Sequence, residues 1–98
     1  QDMQDCGNFY AEASGEDRSI DACDEIIKLA KKSKINMKLA KSVMIVVTGG
    51  YDVLLYEIDE VATKIKDNCR DDLNMIIGNT ISNDIKKGYL GVQVLVIT

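Results

Sequence analysis

Apolar residues recur along this chain in two different periods, and the switches between them mark out its elements. Ile20, Cys23, Ile27 and Ala30, with Ile26, follow helical spacing. Lys28, Lys31 and Lys32 gather at the end of that run, where a helix C-terminus favours cations. Ser14 can cap the start, with Asp17 three residues on as a weak capping-box partner, and Glu16 and Asp17 suit the positive end of the helix. The pattern predicts a helix over residues 16–32. Residues 33–40 read as a loop. Ser42–Thr48 is short, β-branched and closed by Gly49-Gly50, which predicts a strand. Leu55, Ile58, Val61, Ala62 and Ile65 then form one stripe of a second helix, residues 55–69. Glu57, Glu60, Lys64 and Lys66 lie on the other side, with Glu60–Lys64 as a favourable i,i+4 pair. Arg70–Asp72 reads as a turn, 73–79 as a strand, 82–88 as a polar connection and 91–98 as a last strand. Residues 1–12 are harder to read. Gln1–Cys6 looks like a helix tail closed by Gly7, and Asn8–Ala13 like a short strand.

The order is therefore strand, helix, strand, helix, strand, strand. Two helical crossovers predict that strands one to three run parallel, and the helix-free final connection predicts an antiparallel return. The second and last strands are apolar on both faces: Val43, Ile45 and Val47 oppose Met44 and Val46, and Val92, Val94 and Val96 oppose Leu95 and Ile97. Both strands should thus be central and covered twice. Only two helices are available. If both crossovers move the same way, both helices share one face, and the other needs cover from outside the chain. The alternative is one helix on each face.

Composition narrows the class. The chain has 98 residues, enough for one domain, with 46% hydrophobic and 29% charged residues, which argues against disorder. A formal net charge of −4 gives no electrostatic reason to expect nucleic acid or an anionic membrane as partner. The longest apolar run, Val43–Val47, is too short to span a bilayer. The N-terminal Gln-Asp-Met-Gln-Asp has neither the basic stretch nor the apolar core of a signal peptide, and a chain that starts with Gln reads as a processed or excised piece. Cys6, Cys23 and Cys69 are odd in number and lack Cys-x-x-Cys spacing, so neither a disulfide framework nor a zinc site is expected, and a reducing cytoplasm is. There is no His, hence none of the commonest general base or metal ligand.

Several strings occur in the order and spacing of one family. Ala13-Ser14-Gly15-Glu16-Asp17-Arg18, Thr48-Gly49-Gly50-Tyr51-Asp52, Leu55-x-Glu57-Ile58, Asn74-Met75-Ile76-Ile77-Gly78 and Val92-x-Val94 together resemble the C-terminal domain of the FtsZ family, the bacterial cell-division relatives of tubulin. The resemblance implies an α/β (α+β) domain over residues 1–98, with a four-stranded mixed sheet in the order 1-4-2-3, the last strand antiparallel and two helices on one face. It implies a long central helix on the other face, joining this domain to a GTPase domain. Between Gly7 and Ala13 the chain is shorter than the family pattern, which predicts a truncated or displaced first strand. The family's Gly-rich nucleotide loop, its acidic Asn-x-Asp-x-x-Asp activation loop and its C-terminal tail have no counterpart among these residues.

Little catalytic chemistry is expected of what is present. Gly49-Gly50 lacks the length and the following Lys-Ser/Thr of a phosphate loop and reads as a turn. Glu57, Asp59 and Glu60 are acidic enough to suggest a metal site or an acid/base pair, but a solvated helix face near its N-terminus accounts for them better. Glu16-Asp17-Arg18 reads as local capping with a salt bridge. No catalytic, cofactor-binding or metal residue is assigned; GTP belongs to the intact proteins resembled. What the resemblance implies for this piece is assembly. It would contribute to head-to-tail polymerisation into the cytoplasmic division ring and support GTP hydrolysis by the neighbouring subunit. Its candidate interface is Glu57, Asp59, Glu60, Lys64 and Asp67, and regulators could add a strand at the 73–79 edge. Two other readings stand beside it: a free-standing α/β module for ligand binding or oligomerisation, and a hydrolase using a carboxylate pair.

Overall fold

The computed structural model describes residues 6–82 and 84–98. Within them the elements are β1 (Cys6–Ser14), α1 (Arg18–Lys32), a single 3-10 turn (Met37–Leu39), β2 (Ser42–Gly49), α2 (Leu55–Lys66), β3 (Asn74–Ile81) and β4 (Tyr89–Ile97). They form one sheet in the order β1-β4-β2-β3, in which β4 runs antiparallel to both its neighbours and β2 pairs with β3 in parallel. The order is as the resemblance implied, and the antiparallel last strand is as the helix-free final connection predicted.

The period-2 pattern sorts the sheet into two unlike faces. Val43, Ile45 and Val47 of β2 sit opposite Val96, Val94 and Val92 of β4, and all six are fully buried. Ala22, Cys23, Ile26 and Ala30 of α1 and Val61 and Ile65 of α2 close over them. Each of the valines and isoleucines among them contributes about 1.5–3 kcal/mol relative to remaining in water. The opposite face carries Met44, Val46, Leu95 and Ile97 with no helix among the described residues over it, and Met44 is 45% exposed. Both helices therefore share one face, and the arrangement with one helix on each face is excluded.

Three local expectations are corrected. Cys6 and Gly7 do not end a helix: they begin β1, where Gly7, Phe9 and Ala11 point inward and alternate with exposed Asn8, Tyr10 and Glu12. The predicted helix tail over residues 1–5 lies outside the described residues. β1 is not truncated, since it pairs with β4 along its whole length from Cys6–Ile97 to Ser14–Tyr89. Ser14 cannot cap α1 because it is still part of that ladder. The chain instead turns at Gly15, whose φ of 99° is open to glycine at little cost. The cap position falls to Asp17, whose side chain makes no capping bond.

The helices also end in different ways. α1 stops in a Schellman motif: Ile35 N–H donates to the Ala30 carbonyl (2.9 Å) and Lys34 N–H to the Lys31 carbonyl (3.1 Å), with Lys34 at φ 63°. α2 ends at Lys66, short of the 55–69 range expected. Asn68 and Cys69 N–H groups continue as turns onto Ile65 and Lys66, and the Asn68 side chain donates to the Lys64 carbonyl (3.0 Å).

Candidate functional site: a buried arginine joint and an exposed apolar corner

Arg18 is the first residue of α1 and points toward the β2–α2 connection. Its guanidinium meets the Glu57 carboxylate twice, Nε to Oε2 at 2.6 Å and Nη2 to Oε1 at 2.8 Å. Nη1 donates to Asp52 Oδ2 at 2.9 Å, and Nη2 donates to the Asp52 carbonyl at 3.1 Å. Arg18 and Glu57 are 6% and 4% exposed, so this is a bidentate ion pair inside the protein, with the half-exposed Asp52 carboxylate at its rim. Glu57 Oε1 also accepts from the Leu54 N–H at 2.9 Å, which caps α2. The reciprocal half of a capping box is missing because leucine has no acceptor to offer.

Hydrogen bonds from Arg18 hold the Glu57 carboxyl below its ordinary 4.5, outweighing the burial that would raise it; the Leu54 N–H acts in the same direction. Arg18 likewise holds Asp52 below its ordinary value. The hydrogen bond to Glu57 raises the guanidinium pKa further, and Arg18 is charged throughout the accessible pH range. Three of the strings noted in the sequence thus converge on one side chain: Arg18 ends the first, Asp52 the second, and Glu57 lies in the third. Arg18 is paired across the fold and not with its neighbours Glu16 and Asp17, as the sequence had suggested.

Glu57 therefore sits on no solvated helix face. The other four candidate interface residues do come together. Asp59, Glu60, Lys64 and Asp67 line a shallow groove of about 340 Å³ along α2, with Ile20, Tyr56 and Thr63. Asp59 and Asp67 are exposed. Glu60 accepts from the Ser19 hydroxyl at 2.6 Å, and Lys64 pairs with Asp24 at 3.3 Å, so the expected Glu60–Lys64 pair gives way to two ties between α1 and α2. Among the described residues no group of three His, Cys, Asp or Glu side chains is placed to hold a metal ion.

What the sequence reading missed lies next to the joint. Tyr51, Leu54, Leu55 and Tyr56 are 84%, 52%, 76% and 55% exposed, forming one apolar corner where β2 passes into α2. Leu55 was expected in the core stripe; the first turn of α2 carries it out instead. Val53 is the one apolar residue of this run turned inward, and it packs so closely on Gly49 that a Cβ there would collide with its side chain. That contact gives Gly49 its reason, room for Val53, whereas a Cβ at Gly50 would lie 3.1 Å from the Asp52 carboxylate. The available signal was Val53-Leu54-Leu55-Tyr56 itself, four apolar residues in a row where a helix face can bury only some of them.

Comparison with known proteins agrees with this geometry. The model described as "FtsZ family, C-terminal domain" matches residues 9–98. The chain is 37% identical over 84 residues to cell division protein FtsZ 1 of Rhizobium meliloti, an alignment covering 86% of this chain and 14% of that protein. Against cell division protein FtsZ of Rickettsia felis it is 38% identical over 85 residues, 86% of this chain and 19% of the relative. The chain thus spans well under a third of the proteins it matches. Among solved structures, an empty FtsZ dimer of M. jannaschii superposes with a TM-score of 0.82 at 20% identity, over 95% of this chain and 26% of that one. The Bacillus thuringiensis TubZ GDP-form protofilament gives a TM-score of 0.67 at 8% identity over 93% of this chain and 25% of that one, which extends the likeness in fold alone. With a matching family model over nearly its whole length, and with the joint built from the strings that carry the resemblance, this chain belongs to the FtsZ family as its C-terminal domain.

Proposed function

We propose that this domain is an assembly module of a tubulin-like cell-division GTPase that acts in the cytoplasm at the division site. It presents a surface to the neighbouring subunit in a head-to-tail polymer and supports GTP hydrolysis there. The GTP and the reacting groups belong to the rest of the protein, and the domain contributes shape. The observation that carries this reading is the exposed corner Tyr51, Leu54, Leu55 and Tyr56, adjacent to Asp59 and Glu60 on α2. Apolar side chains this exposed and this close together mark a contact surface. The Arg18 joint holds the corner's backbone to α1, so its conformation is set before docking and less entropy is lost on association. On the sheet's uncovered side, Met44, Val46, Leu95 and Ile97 await the central helix that joins this domain to the GTPase domain.

The test is Leu55→Glu in the intact protein. An exposed position tolerates the change within about 0.5 kcal/mol, so melting should stay put. Pelletable polymer and GTP turnover should fall together. Unchanged polymer mass and turnover would rule out the corner as the contact.

A second contact rests on β3, which among the described residues pairs only with β2 and has no partner strand on its outer edge. Ile76 and Ile81 are 55% and 53% exposed there. Such an edge accepts an added strand from a division regulator.

A further inference from the structure

The end of the helical layer away from the Arg18 joint has the opposite charge. Residues 26–51 contain six lysines, half of the 12 basic residues of the chain, and no Asp or Glu. That stretch is +6 in a chain of net −4, which leaves −10 on the remainder. Three of these lysines, Lys31, Lys34 and Lys38, rim a groove of about 400 Å³ whose floor includes Ile27, Ile35 and Met37. The ion pairs among the described residues use Arg18, Lys64 and Arg70 as cations, so the charge of the rim is not neutralised by a salt bridge.

Ordinary helix chemistry accounts for only part of this. Lys31 and Lys32 lie in the last turn of α1, where cations are expected. Lys34 and Lys38 lie beyond it. Lys34 occupies the left-handed position of the Schellman motif, φ 63°, where glycine would relieve strain. A lysine there lowers stability in exchange for a cation on the rim.

We propose that this groove binds an acidic peptide segment of a partner protein, one that inserts an apolar side chain over Ile35 and Met37 and places carboxylates against Lys31, Lys34 and Lys38. Charge complementarity selects the acidic partner. The aliphatic floor selects a peptide over nucleic acid, because it has no aromatic ring on which a base would stack. The floor is recessed, with Met37 buried, whereas a membrane-binding face would push its apolar residues outward.

Selection of a random-peptide library displayed on phage, against the immobilised protein and in parallel against Lys34→Gly/Lys38→Ser, tests this. The expected result is enrichment of peptides with acidic residues flanking a leucine or phenylalanine. A synthetic copy should bind the double variant about tenfold more weakly or worse, and should weaken as salt rises. Lys34→Gly alone should melt at the same or a higher temperature, which separates lost binding from lost fold. Enrichment without the acidic–apolar pattern, or the same peptides on the double variant, would overturn the proposal. So would tighter retention on phosphatidylserine vesicles or single-stranded DNA, or a self-association of the protein that the same substitutions abolish.

Discussion

Replacing Glu57 by Leu should cost the domain more stability than almost any other polar-to-apolar change in it. The substitution leaves the Arg18 guanidinium buried, with only Asp52 to compensate it, and removing one partner of a buried pair typically costs about 3–5 kcal/mol. It also removes the cap on the Leu54 N–H, about 1 kcal/mol more. Arg18→Met leaves Glu57 buried with that N–H and should cost about 3 kcal/mol. The informative variant is the double one. Arg18→Met with Glu57→Leu leaves no unpaired charge in the interior, and such replacements are often close to neutral, so the pair together should cost about 1–2 kcal/mol, most of it the lost cap. Urea unfolding of the four proteins measures this directly, since the cap cancels in the cycle and the coupling should exceed about 2 kcal/mol. In thermal melts each single variant should fall by more than about 10 °C. Additive losses in the double variant, or a Glu57→Leu cost below about 1 kcal/mol, would refute the joint as an obligate pair.

Two further outcomes follow. Glu57 is held below its ordinary 4.5, so the unfolded chain takes up its proton first as pH falls; the stability from the pair is complete above about pH 5 and is lost as pH drops through the lowered folded value. Unfolding measured from pH 7 down to pH 3 should therefore show an acid limb that flattens in Glu57→Gln, and identical limbs in the two proteins would contradict the assignment. Burial pushes the Cys23 thiol up to about 12 and raises Cys69 as well, whereas Cys6 is exposed. Maleimide at neutral pH should label the native protein at Cys6 alone and all three thiols in denaturant, so comparable native labelling of Cys23 would show a core that opens.

The two central strands were legible in the sequence because Val43–Val47 and Val92–Ile97 are apolar on both faces, while their order in the sheet came from the family resemblance. Counting helices left two arrangements open, both on one face or one on each, and the structure decides for the first. Local chemistry misled where tertiary pairing took precedence. Ser14 has the side chain of a cap but is occupied by β4, and Gly7 can end a helix but here alternates with Phe9 and Ala11. Leu55 matched the helical stripe, yet a residue in the first turn can point past the sheet, and spacing alone does not show where the sheet ends. The joint itself was beyond any local pattern. Arg18 and Glu57 are 39 residues apart, and nothing near either announces the other. The strings containing them were visible as a resemblance; that they touch was not.

That convergence bears on what the strings diagnose. Arg18, Asp52 and Glu57 depend on one another, so they are expected to be inherited or lost together, whatever becomes of the rest of the protein. A descendant that had shed its nucleotide site but kept the trio would be returned, beside working division proteins, by a genome search with these strings. They identify the shape of this domain. Whether a given carrier still turns over GTP has to be read from residues elsewhere.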